Sequence, residues 1–99
     1  MIPYLGISKV RYDSHHALLD YAVQHLIDDN GLHEGRQVNR KDILSNLYSR
    51  MMYKTIVLAA NNMWSDGADI GIVTIHGIDY LKTDRNPIPC DKLGNLPEF

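Results

Sequence analysis

Cysteine occurs once in these 99 residues, at Cys90. That excludes an intrachain disulfide and fits a reducing compartment. Charge of one sign is not in excess either: Lys and Arg total 10, Asp and Glu 12, the formal net charge is −2, and acids and bases interleave. With no basic block, electrostatic anchoring to nucleic acid or to an anionic membrane is disfavoured. No apolar run approaches the roughly 18 residues of a membrane span. The opening MIPYLGISKVRYD has neither the apolar length nor the cleavage pattern of a secretory leader. A cytoplasmic location without a membrane partner is therefore expected.

Recognisable chemistry is also scarce. The five histidines show none of the recurrent spacings of zinc sites, and no calcium-loop pattern occurs. Adjacent His15 and His16 would point to opposite faces of an extended chain. No Gly-rich phosphate cradle appears. Cys90 lies between Pro89 and Asp91, and a neighbouring carboxylate raises a thiol pKa, which disfavours a nucleophile there. Ten of the twelve acidic residues are aspartates, concentrated where turns and caps are expected. No catalytic residue, cofactor or metal site is expected from these patterns.

What is present is a 44% hydrophobic, 22% charged composition, ordinary for a globular chain and enough for one domain over residues 1–99. Tyr4 to Tyr12 alternates as a strand. Residues 17–28, ALLDYAVQHLID, satisfy two templates: Leu18, Leu19, Ala22, Val23, Leu26 and Ile27 make a helical stripe, while Leu19, Tyr21, Val23, His25 and Ile27 alternate as in a strand. Residues 28–38 read as a loop. Asn39 and Asp42 form a candidate capping box, followed by Ile43, Leu44, Leu47, Tyr48 and Met51 at helical spacing, so a helix is expected over about 39–51. Residues 53–60 and 69–76 read as strands of a hairpin with a long connection, Ser65-Asp66-Gly67 supplying a turn signal within it. A short strand at 78–82 follows.

The last segment, YLKTDRNPIPCDKLGNLPEF, contains three of the four prolines and the apolar anchors Leu93, Leu96 and Phe99. Residues 84–99 read as an ordered, non-helical tail docked on the domain, with an exposed tail as the alternative. Tyr80-Leu81-Lys82-Thr83-Asp84, Asn86, and Cys90-Asp91-Lys92-Leu93-Gly94-Asn95-Leu96-Pro97-Glu98-Phe99 resemble the closing signature of the small bacterial proteins grouped as DUF3892. Lys92 stands where that signature usually has Asn. The resemblance is specific to the tail, implies no activity, and implies a second strand after the first. Periodicity alone favours a helix over 17–28; with the resemblance, that stretch is read as a strand.

The resulting expectation is an α+β fold: a small antiparallel sheet of four to five strands, one covering helix and the docked tail. The favoured function is a non-enzymatic protein-interaction module with an unidentified protein partner, with pairing of sheet edges into a homo-oligomer as a further option. Trp64, Leu96, Pro97 and Phe99 are the candidate partner contacts, the tail residues competing with a role over the protein's own core. Met51, Met52 and Met63 add adaptable apolar surface, Met51 being read as completing the helix face. The alternative is a small ligand-binding protein or enzyme with a pocket of histidines and aspartates, such as His25, His76, Asp66 and Asp69. Single-stranded nucleic-acid binding is weaker, since it needs a basic sheet face.

Overall fold

A computed structural model describes residues Ile2–Phe99, the side chain of Asn62 excepted. The elements are β1 (Tyr4–Tyr12), β2 (Leu19–Asp28), β3 (Gly31–Leu32), β4 (Arg36–Asn39), α1 (Arg40–Tyr48), β5 (Tyr53–Leu58), a 3-10 turn (Ala60–Asn62), β6 (Trp64–Asp69), β7 (Gly71–Ile75) and β8 (Ile78–Lys82). Strands hold 51% of the residues and the short helix 11%. The expected helix-covered α+β arrangement of four to five antiparallel strands is therefore corrected to a mostly-β fold on a curled, mixed sheet. That sheet has the order β3-β2-β1-β5-β6, with β4 also on β2, while β7 and β8 pair separately.

The mixing has a local cause. Helix α1 stands between β4 and β5 as a crossover and returns β5 parallel to β1, with Leu5 opposite Tyr53 and Ile7 opposite Thr55. α1 starts with a complete capping box, the Asn39 side chain accepting from the Asp42 backbone N–H and the Asp42 carboxylate from that of Asn39. It stops at Tyr48, short of the expected 51. The Met51 N–H bonds the Asn46 carbonyl and the Arg50 N–H that of Leu47, while Arg50 takes φ 66°. These are the two bonds of a Schellman stop, with arginine in the left-handed position that glycine usually fills. Only Ile43 of the helix is fully buried, which is why it covers little of the sheet.

Residues 19–28 are a strand. β2 is hydrogen-bonded to β1 along one edge and to β3 and β4 along the other. Its apolar residues divide between two cores rather than lining one stripe: Leu19 and Ala22 join the larger, Ile27 the smaller. The expected loop over 28–38 contains β3 and the start of β4. The expected hairpin of 53–60 with 69–76 is replaced by two: β5 with β6, and β7 with β8. Gly67, expected in a turn, lies inside β6. A Cβ there would approach Thr55 Oγ1 to 2.3 Å, and the ladder shifts register beside it, between Lys54 and Ile56. Glycine in a strand here marks a bulge and a close approach.

The larger core gathers Leu5, Ile7, Val10, Ile43, Tyr53, Leu81 and Leu93; Tyr4, Ile27 and Ile56 form the smaller one with Leu32 and Trp64 packed against it. The chain after β8 is held by two parallel bridges, Lys82 to Lys92 and Val10 to Glu98. Among the described residues, no helix is long and apolar enough to cross a membrane.

Candidate functional site

The four residues singled out as partner contacts are placed in two regions. Trp64 is half-buried on the smaller core, its Nε1–H donating to Tyr4 Oη at 3.4 Å. Tyr4 in turn donates to Asp66 Oδ1 at 2.5 Å. Burial, and secondarily that bond to Asp66, raise the Tyr4 pKa above its ordinary value. Leu96 packs against the larger core. The Pro97 carbonyl accepts from the Val10 N–H at 2.9 Å, and the Phe99 N–H donates back to the Val10 carbonyl at 3.1 Å. Arg11 Nε donates to the Phe99 carbonyl at 2.6 Å while its guanidinium carbon lies 4.9 Å from the Phe99 ring centre. The tail residues thus extend the sheet beside β1, with contacts inside their own chain.

One residue holds this tail more than any other. The Asp91 carboxylate accepts from the Leu19 N–H at 2.7 Å, the Leu81 N–H at 2.8 Å and Arg40 Nε at 2.7 Å, with Arg40 Nη2 a further 3.3 Å away. Arg40 also donates to the Asp79 carbonyl. The backbone N–H of Asp91 donates to the Ala17 carbonyl at 2.8 Å. The carboxylate is fully buried and its arginine 22% exposed. One charge therefore ties together the start of β2, β8, the first turn of α1 and the tail. Such an ion pair offsets its desolvation only because two backbone donors complete its lone pairs. Next to it, Leu93 is fully buried and its N–H donates to Tyr12 Oη at 3.0 Å. Desolvation at this spot raises the Tyr12 pKa.

The histidines do not converge. His16 meets Glu98 at 3.1 Å and His33 meets Asp28 at 2.9 Å, both on the surface. His76 occupies the β7–β8 turn with φ 51°. Among the described residues, no three His, Cys, Asp or Glu side chains could hold a metal together. His25 alone is buried: its Nε2 lies 2.8 Å from Ser8 Oγ and its Nδ1 3.0 Å from the His33 carbonyl oxygen. A carbonyl only accepts, so Nδ1 carries a proton, and in the neutral ring Nε2 accepts from the Ser8 hydroxyl.

Exposed apolar surface collects at the opening ends of β1 and β5. Ile2 (75% exposed), Met51 (42%), Met52 (47%) and Leu26 (39%) border a hollow of about 270 Å³ in which Arg50 is the one charged lining residue among the described residues. Met51, expected on the helix face, stands clear of it because α1 has already ended. From sequence, Met51 and Met52 were weighed as adaptable surface with Met51 read onto the helix face, and Ile2 and Leu26 were missed; they are brought beside the methionines by the Leu5–Tyr53 and Leu5–Leu26 pairings.

No family model, curated protein or solved structure matches the chain. Its site is defined by its own geometry.

Proposed function

We propose that the chain is a protein-interaction module whose contact surface is the hollow of Ile2, Leu26, Met51 and Met52. The observation that carries this reading is the concentration of exposed apolar side chains at one end of the sheet, two of them thioethers that adapt to varied partners. Arg50 makes no ion pair among the described residues. The fitting partner is accordingly a protein segment with apolar side chains for the hollow and an acidic residue for the guanidinium. Trp64, Leu96, Pro97 and Phe99 are left to the fold rather than to the partner. Kinship with DUF3892 proteins, resting on Tyr80–Asp84, Asn86 and Cys90–Phe99, belongs to the same proposal.

Self-association through the outer edge of β6 is the second reading, favoured by that strand's having no neighbour beyond it among the described residues. Asp66 and Asp69 on the same strand oppose it, since acids on an edge discourage pairing with a copy. The test is capture from lysate by the full chain, by M51D and by D66A, with circular dichroism as the check of folding. Loss of a reproducible partner in M51D alone supports the hollow. Equal capture by wild type and M51D overturns it, and a dimer in sedimentation would move the reading to the β6 edge.

A further inference from the structure

Ser8 and His25 lie away from the hollow, on the face of the sheet that carries the smaller core. Ser8 is the extra residue of a bulge, between the pairs Ile7–Gln24 and Lys9–Val23. Bulges recur beside active sites because they re-aim a side chain. Just there the sheet divides. β5 pairs with β1 only as far as Ile7, and the tail takes over at Val10. The gap is a cleft of about 370 Å³ walled by Ile56, Val57, Leu58, Leu96 and Pro97, and Ser8 lies on its lining. Lys9 and Asn95 complete the wall. Both are exposed, and neither side chain has a hydrogen-bond or ion-pair partner among the described residues. A second hollow on the other side of Leu58 reaches His25.

We propose that Ser8 and His25 are a nucleophile–base pair that cleaves small esters with an apolar acyl group. This goes beyond the interaction reading and uses none of its residues. A nucleophile needs a base within hydrogen-bond reach, and the base needs a third group to fix its tautomer. The Ser8–His25 distance of 2.8 Å meets the first condition, and the His33 carbonyl, 3.0 Å from Nδ1, meets the second. Gly35 holds the imidazole in place by close approach: a Cβ on it would reach 2.6 Å from His25 Cε1. Ser8 Oγ attacks the ester carbonyl carbon as its proton passes to His25 Nε2. The C–O bond to the alcohol then breaks, and the departing oxygen takes that proton. Water attacks the acyl-serine, again losing a proton to Nε2, and the acid leaves as the proton returns to Ser8 Oγ. The amide of Asn95 and the ammonium of Lys9 are the donors available to the oxyanion. The apolar walls select the acyl chain.

The test uses the full chain with a fluorophosphonate probe and with p-nitrophenyl butyrate. Wild type is expected to turn over the ester above the buffer rate and to carry the phosphonyl group on Ser8, located by peptide mass spectrometry. S8A should abolish both. H25Q should slow labelling by about 100-fold or more, the usual contribution of a positioned base. L58W, at an exposed position beside the pair, should slow labelling by filling the cleft, which keeps the test decisive if H25Q does not fold. Folded wild type that stays unlabelled at Ser8, or labels instead at Ser14, Ser45, Ser49 or Ser65, overturns the proposal. So does a folded H25Q or L58W that labels at the wild-type rate. The hollow of Met51 and Met52 would be untouched by that result.

Discussion

Asp91 and Arg40 exemplify how unevenly single residues contribute to this protein. Removing one partner of a buried ion pair strands the other charge and, here, two backbone donors as well. D91A is expected to lose about 3–5 kcal/mol by urea unfolding. A loss below about 1 kcal/mol would show that solvent replaces the carboxylate at little cost. The node could not be read from sequence because its partners, Leu81, Arg40 and Leu19, lie 10, 51 and 72 positions away. Asn39 and Asp42 show the opposite case: their reciprocal caps span three residues, and a local pattern was enough. Ser8 and His25 likewise needed a register and a bulge before they could meet. The only signal in the chain was that each falls on the same phase of an alternating strand.

At the scale of elements, legibility followed how far each one depends on its own residues. Helix α1 was legible at its start, and its end was hidden because Arg50 adopts a left-handed conformation its side chain disfavours. That position carries a testable cost. An L-residue there is strained by roughly 1–2 kcal/mol relative to glycine, so R50G should raise stability by about 1 kcal/mol in thermal or urea unfolding. Unchanged or lowered stability would mean that the Arg50 stem packs usefully at the hollow. β6 was illegible for another reason. Trp64–Asp69 reads WSDGAD, with turn residues and no alternation, and it is a strand because β5 offers it a ladder. β2 satisfied both periods, and its position between two sets of neighbours decided the matter.

At the scale of the whole molecule, the fold has an acid limit built from surface carboxylates. Asp13 is held below its ordinary pKa chiefly by the Ala17 N–H, and Asp28 by the His33 ring and then the Asn30 N–H. A carboxyl group whose folded pKa is depressed stabilises the fold fully above its unfolded value, about 3.8 here, and loses that contribution as pH falls through the lower folded value. The urea midpoint should therefore drop as pH falls below about 3.8, and less steeply in D13N, whose side chain cannot titrate. An identical slope in D13N would remove Asp13 from that account.

The same scale carries the claim on which the functional reading depends. The last nine residues are bonded into the fold, and the proposed contact surface is for that reason the Met51–Met52 hollow and not the tail. Amide hydrogen exchange on the full protein addresses this directly, because protection reports whether a hydrogen-bonded segment opens with the core or separately. The N–H groups of Val10, Leu19, Leu81, Leu93 and Phe99, all bonded across the tail contacts, should exchange as slowly as those within the β1–β2 ladder. If Leu93 and Phe99 exchange at unprotected rates while the β1–β2 ladder stays closed, the tail is a free arm. Leu96, Pro97 and Phe99 would then return as the partner contacts.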